Sequence, residues 1–206
     1  MTSRGTIAAE VLAQENVDAA TDSPYSHVFL QAGVGGLAAG VVSYLWERYG
    51  AQRPAFIVVE PEQADCLFQS AQQGRAARAS GTVDSVMAGL ACGETSPLAW
   101  RFLQPSVDFF QTVADDAAVQ AMRLLARGNE HDIPVVGGES GVAGLAGLID
   151  LAASPALRRQ TGLDADARIL LVNTEGATAP SLYETLVGQP ADHVLARQKR
   201  WLEMTA

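Results

Sequence analysis

The sequence predicts an α/β fold in which a mostly parallel β-sheet is flanked by helices on both faces. Three observations lead to this prediction. Short apolar runs alternate along the chain with segments of helical periodicity, the order typical of βα units. Hydrophobic residues make up 48% of the 206 residues, enough for a full core. Glycine-rich or polar turns follow several of the apolar runs. We therefore expect residues 1–206 to form a single α/β domain.

The predicted elements follow one another in βα order. The strand candidates are residues 27–31, 55–60, 107–113, 133–136 and 168–173. The helix candidates are residues 35–49, 63–73, 115–127 and 140–153, the last with Ser140 as its N-cap. Residues 191–206 are expected to end the domain with an amphipathic helix that packs on the body or on a second subunit.

Composition and charge exclude several function classes. The formal charge of −9 and pI near 4.7 disfavour nucleic acid and anionic membrane surfaces as partners. No apolar run reaches about 18 residues, so no membrane span is predicted and a cytoplasmic location is expected. The two cysteines, Cys66 and Cys92, lack CxxC spacing and are interpreted as reduced thiols.

The most informative segment is the turn from Gly33 to Gly36, which joins an apolar strand to a helix. Glycines lack Cβ atoms, so the backbone N–H groups of such a turn approach an anion closely. The helix that follows points the positive end of its dipole at the same spot. The turn therefore predicts a phosphate site. A tight turn with glycines kept only for packing is the alternative.

Three turns are expected to meet at one edge of the sheet, because ligands of parallel sheets bind beyond the carboxyl ends of the strands. They are the glycine turn after Gln31, GGESG after Val136 and NTEG after Val172. The small-residue loop at 89–97 is a candidate wall. Taken alone, Thr174 is also explained as a hydroxyl that caps its own backbone.

Five segments, in this order, carry a resemblance to a known family: QAGVGGLAAG, VVEPEQADC, MAGLACGETSP, GGESGVAGL and LLVNTEGAT. They resemble the pyridoxal-phosphate enzymes of the tryptophan-synthase-β-like, fold type II group, and within it the diaminopropionate ammonia-lyase family. The resemblance runs from about residue 5 to about residue 184. A nucleotide-binding domain is disfavoured, because Pro61 follows Glu60 and the third glycine of GxGxxG is missing.

The resemblance implies that pyridoxal 5′-phosphate is the cofactor. It implies that the cofactor phosphate is bound by Gly33, Val34, Gly35, Gly36 and Leu37. It also implies that Thr174 lies next to the pyridine nitrogen. Glu139 is expected beside the cofactor ring, with an exposed surface carboxylate as the alternative. A hydroxyl partner leaves the ring nitrogen neutral, which suits β-elimination.

The resemblance also suggests where a cation would bind in relatives that use one. The three ligands correspond to Glu60, the carbonyl of Ala64 and Cys66. A thiol is a poor ligand for magnesium or calcium, which prefer oxygen. We therefore expect no metal.

Lysine occurs once, as Lys199 in the last predicted helix. The family bonds its cofactor to a lysine upstream of the glycine loop, so the chain resembles a carboxyl-terminal portion that lacks the amino-terminal one. No catalytic residue is assigned. The expected function is part of an ammonia-lyase for a small amino acid, inactive alone, with a homo-oligomer or a complementing amino-terminal half as partner. The alternatives are a serine or threonine dehydratase fragment and a non-catalytic binding or assembly module.

Overall fold

The computed structural model describes residues 5–15 and 22–205. The elements before the third strand are α1 (Gly5–Gln14), β1 (His27–Gln31), α2 (Gly36–Tyr49), β2 (Ala55–Pro61), α3 (Cys66–Gln73) and α4 (Pro97–Leu103). They are followed by β3 (Phe109–Val113), α5 (Asp115–Arg127), α6 (Ala143–Ala153), α7 (Pro155–Thr161), β4 (Ile169–Leu171), α8 (Pro180–Val187) and α9 (Ala191–Thr205). Single 3₁₀ turns occur at Gly50–Gln52 and Ala88–Leu90.

The four strands form one parallel sheet in the order β3-β2-β1-β4. His27 of β1 lies opposite Ala55 on one side and Ile169 on the other. Ile57 of β2 lies opposite Phe109 of β3. The prediction of a mostly parallel sheet flanked by helices is confirmed, and the carboxyl ends of all four strands lie at the same edge.

The predicted strand at residues 133–136 is wrong. The segment belongs to no strand, and Pro134 has no N–H group to donate to a ladder. The next two residues, Val135 and Val136, form hydrogen bonds outside the sheet. The Val135 N–H group donates to the Leu125 carbonyl at 2.9 Å, and the Val136 carbonyl accepts from Asn173 Nδ2 at 3.1 Å.

The hydrophobic core has two layers, one on each face of the sheet. Side chains alternate along β1 and β2, so successive residues enter different layers. One layer joins Val28, Leu30, Phe56 and Val58 to apolar residues of α1, α2 and α4. The other joins Phe29, Ile57 and Val59 to apolar residues of α5 and α6. Strands β1 and β2 are therefore buried on both faces, which explains why they lack a polar alternation.

Helix starts differ from the prediction at two places. Helix α3 begins at Cys66 instead of residue 63, and α6 begins at Ala143 instead of Ser140. Helix α2 begins at Gly36, immediately after Gly35, whose φ of +97° is a conformation that glycine adopts freely. Within the described residues, no helix is long and apolar enough to cross a membrane.

Candidate functional site

A cavity of about 430 Å³ lies at the carboxyl edge of the sheet, next to the glycine turn. The turn between β1 and α2 forms one wall, and the loop around Gly89 forms another. Ser140 and the segment after β4 complete it. Its lining residues are Gln31, Ala32, Gly33, Val34, Gly35, Gly36, Leu37, Gly89, Leu90, Cys92, Ser140, Thr174, Glu175 and Thr178. The predicted convergence of three turns, with the 89–97 loop as a wall, is confirmed.

The glycine turn presents backbone donors to this cavity. In the described part of the chain, the N–H groups of residues 33–37 donate to no protein acceptor. The carbonyls of the turn are directed elsewhere, since Gly33 O accepts from Cys66 Sγ at 3.5 Å and Val34 O accepts from Ser96 N at 3.1 Å. Unpaired donors at a helix N-terminus form an anion site.

Two glycines of the turn leave no room for a side chain. A Cβ atom on Gly33 would lie 2.8 Å from Cys92 Sγ. On Gly35 it would lie 2.9 Å from Leu103 Cδ1, in addition to the strain of the positive φ. Close packing therefore favours glycine at both positions, and the positive φ favours it at Gly35 as well.

Thr174 lies across the cavity from the turn and is exposed to it. Its Oγ1 accepts a hydrogen bond from Gln31 Nε2 at 3.1 Å. The same nitrogen donates to the Val172 carbonyl at 2.7 Å. Gln31 was not predicted as a site residue, although its polar amide at the end of the buried run HVFLQ was a usable signal.

Glu175 anchors the GGESG turn, a role that was also missed. Its Oε2 atom accepts from the backbone N–H groups of Ser140 at 2.6 Å and Gly141 at 3.1 Å. The predicted N-cap role of Ser140 is wrong, because its Oγ accepts from Gly89 N at 2.9 Å instead. Ser140 therefore joins two walls of the cavity, and α6 begins later.

Glu139 is the one predicted cofactor contact that does not line the cavity. Glu139 is buried, with 6% exposure, and the next residue, Ser140, lines the cavity. Its contact with a cofactor ring stays a prediction.

Glu60 is fully buried behind the glycine turn. Its two oxygens accept from the backbone N–H groups of Leu67 at 2.9 Å and Phe68 at 2.7 Å, at the start of α3. Burial raises the pKa of this carboxyl from 4.5 to about 8, against the opposing effect of both amide bonds. An acid held in this way is unavailable to a nucleotide ribose.

Cys66 connects Glu60 to the glycine turn. Its sulfur lies 3.6 Å from Glu60 Oε1 and 3.5 Å from Gly33 O. Burial raises the pKa of the thiol to about 12, so it stays protonated and donates. Among the described residues, no three His, Cys, Asp or Glu side chains are grouped to hold a metal ion.

Lys199 lies on α9, where it is exposed, and it is not among the residues that line the cavity. Glu175 is the one charged residue in that lining, so an anion bound there is neutralised by backbone dipoles.

Comparison with known families and curated proteins gives a consistent result. Residues 1–175 match the model of a family described as pyridoxal-phosphate dependent enzymes. Diaminopropionate ammonia-lyase of Escherichia coli K12 is 38% identical over 165 residues, which is 79% of this chain and 42% of that protein. The enzyme of the same name from Salmonella typhimurium LT2 is 39% identical over 176 residues, 82% of this chain and 44% of that protein. The chain thus spans less than half the length of these relatives.

Solved structures agree with the sequence relatives. Holo diaminopropionate ammonia lyase of Escherichia coli has a TM-score of 0.79 at 36% identity, covering 89% of this chain and 46% of that one. A complex of that enzyme with an aminoacrylate-PLP azomethine reaction intermediate has a TM-score of 0.77. Threonine deaminase isoform 2 of Solanum lycopersicum, at 22% identity and a TM-score of 0.69, shows the fold alone. The resemblance carried by the five sequence segments is confirmed.

Proposed function

Because the chain belongs to the family of pyridoxal-phosphate dependent enzymes, we propose that it forms part of an ammonia-lyase that converts 2,3-diaminopropionate to pyruvate and ammonia. In this proposal the cavity beside residues 33–37 holds pyridoxal 5′-phosphate. One observation carries it: the unpaired N–H groups of residues 33–37 and the Thr174 hydroxyl face the same cavity. The substrate and reaction follow the names of the relatives that share 38% and 39% identity.

The phosphate group fits the glycine turn. Gly33, Val34, Gly35, Gly36 and Leu37 supply backbone donors, and the dipole of α2 adds partial positive charge. The lining contains no lysine or arginine, so the positive charge that the lining offers to an anion is that of the backbone dipoles. This accounts for anion binding by a chain with a net charge of −9.

The ring half of the cavity fits a neutral pyridine nitrogen. When bound, pyridoxal phosphate supplies an electron sink for bond cleavage at the α-carbon of an amino acid. Thr174 offers a hydroxyl to the ring nitrogen. The Glu175 carboxylate accepts from the Ser140 and Gly141 amides through Oε2, so this oxygen is directed at the GGESG turn.

Covalent attachment of the cofactor needs a lysine, and the one lysine of this chain is exposed on α9. We propose that the attaching lysine comes from a complementing amino-terminal half and that the isolated chain is inactive.

Reconstitution tests the proposed function. The purified chain is mixed with the lysine-bearing amino-terminal half of a relative, then given pyridoxal 5′-phosphate and 2,3-diaminopropionate. We expect pyruvate only from the mixture, and borohydride reduction followed by peptide mapping should find the cofactor on the added half.

Lys199→Arg is the matched control, since it preserves the charge and removes the amine. The reconstituted variant should form pyruvate at the rate of the unmodified mixture. Cofactor reduced onto Lys199, or pyruvate formed by the chain alone, would contradict the proposed division of the site.

A further inference from the structure

The hydrogen bonds of Gln31 carry an inference that deepens the proposed function and rests on it. Gln31 is the last residue of β1, is 2% exposed and lines the cavity. Its side-chain nitrogen donates to Val172 O at 2.7 Å and to Thr174 Oγ1 at 3.1 Å. Its Oε1 atom is buried and has no partner among the described residues.

The orientation of the Gln31 amide is fixed by its neighbour. A backbone carbonyl only accepts hydrogen bonds, so the nitrogen must face Val172 O. An amide turned by 180° would direct Oε1 at that carbonyl oxygen and lose the 2.7 Å bond. The two N–H groups are then committed, one to Val172 and the other to Thr174.

This arrangement determines what Thr174 offers to the cavity. A threonine hydroxyl has one proton to donate and two lone pairs to accept. One lone pair is occupied by Gln31, and the hydroxyl makes no other hydrogen bond to the described residues. Its proton is therefore available to an acceptor in the cavity. An unprotonated aromatic nitrogen can accept a hydrogen bond from this hydroxyl, whereas a protonated nitrogen cannot.

We propose that Gln31 is a positioning residue that orients the Thr174 hydroxyl as a donor to the cofactor's ring nitrogen and so favours the unprotonated form of that nitrogen. The effect is exerted through Thr174, since Gln31 directs both of its N–H groups at protein oxygens. Its amide has no net charge, so it adds no charge to the site.

The first test needs no ligand. In the ¹H–¹⁵N spectrum, the Gln31 side-chain amide is assigned by its loss in Gln31→Met. We expect Thr174→Val to shift one of the two Gln31 amide protons strongly and the other weakly, because one acceptor is removed and Val172 O remains. Unchanged Gln31 signals would overturn the pairing, whatever the cofactor proves to be.

The second test uses pyridoxine 5′-phosphate labelled with ¹⁵N in the ring, a probe without an aldehyde that needs no lysine. We expect the ring nitrogen of the bound probe to titrate at lower pH than that of the free probe. Gln31→Met should move this titration back toward the free value and weaken binding roughly threefold to tenfold, the effect of one lost hydrogen bond. Thr174→Ser, which keeps a hydroxyl, should titrate like the wild type.

Gln111→Met is the matched control. Gln111 also lies on a strand of the sheet, donates through Nε2 to Gly147 O at 3.2 Å, and has a buried Oε1 without a partner. It does not line the cavity. This variant should leave both affinity and ring titration unchanged.

The outcomes separate the inference from the proposed function. A probe that binds but titrates alike in wild type and Gln31→Met would overturn the role of Gln31 alone. Failure of the wild type to bind the probe would overturn both. If Gln31→Met does not fold, Thr174→Val replaces it, because an exposed residue tolerates substitution. A ring nitrogen that titrates in Thr174→Val as it does in the wild type would overturn the inference equally.

Discussion

The two halves of the cavity are constructed differently. The phosphate half consists of consecutive residues, 33–37, whose backbone N–H groups are the functional atoms. The ring half uses side chains that are far apart in sequence, with 143 positions between Gln31 and Thr174 and 35 between Ser140 and Glu175. A site made of backbone is encoded locally by glycines, whereas a site made of side chains exists only once the sheet has formed.

The phosphate half has its own buried support. Glu60 accepts hydrogen bonds from the N–H groups of Leu67 and Phe68 at the start of α3. Cys66 of the same helix contacts the Gly33 carbonyl. The ring half is supported by Glu175 and the GGESG turn. Substitutions at Glu60 and Gly35 therefore test the phosphate half, and substitutions at Glu175 test the ring half.

The largest expected effect is the pH dependence that Glu60 confers on stability. Because burial raises its pKa from 4.5 to about 8, the folded chain binds more protons than the unfolded chain between these values. The contribution of this group is fully present below the lower value and is lost as the pH rises through the higher one. The free energy of unfolding should thus fall with a slope of up to about 1.4 kcal/mol per pH unit.

Urea unfolding at a series of pH values measures this slope. Glu60→Gln should remove it, since a neutral amide occupies the same volume. Glu62→Gln, at the exposed neighbouring position, should leave it in place. A slope that survives in Glu60→Gln would assign the pH dependence to another group.

The second prediction concerns Gly35 in the phosphate half. Gly35→Ala should lower the free energy of unfolding by about 2–4 kcal/mol, combining left-handed strain with overpacking against Leu103. It should also abolish phosphate binding. Gly74→Ala shares a positive φ but meets nothing within 4 Å, so it should lose only about 1 kcal/mol and keep binding. Equal losses in the two variants would refute the packing argument.

These differences explain what was predictable from sequence. The boundary between β1 and α2 was predicted to within one residue, because an apolar run, a glycine turn and helical periodicity follow one another without interruption. The turn required no knowledge of distant residues. Its role as an anion site follows from the same local chemistry.

The ring half could not be derived in this way. Ser140 was expected to cap its own helix, but its oxygen serves Gly89, 51 positions away. Gln31 was missed because its acceptors lie on the segment after β4, the neighbouring strand. Residues 133–136 have a strand-like sequence, yet their hydrogen bonds go to α5, to α9 and to Asn173. In each case a tertiary partner overrides a local preference.

The third prediction tests the anchor of the ring half. Glu175→Ala leaves the N–H groups of Ser140 and Gly141 without their acceptor and should cost about 1–3 kcal/mol. Hydrogen exchange at these two amides should accelerate. Glu175→Gln retains an oxygen acceptor and should lose less. Unchanged exchange in Glu175→Ala would show that the turn does not depend on this carboxylate.

The smallest expected effect is that of the Thr174 hydroxyl in the reconstituted enzyme. Thr174→Ala should reduce cofactor affinity only modestly, since one hydrogen bond contributes about 0.5–1.5 kcal/mol. Turnover should fall further, because the ring nitrogen loses its neutral partner. Steady-state kinetics and cofactor titration separate the two quantities. Unchanged turnover would leave Thr174 with a structural role alone.

A paired titration tests most directly that the two halves form one cofactor site. Backbone amide spectra of the chain are recorded with inorganic phosphate and then with pyridoxine 5′-phosphate. We predict that both ligands shift the amides of residues 33–37, and that only the second also shifts those of residues 174 and 175. Shifts confined to other regions, or identical shifts from both ligands, would contradict the account.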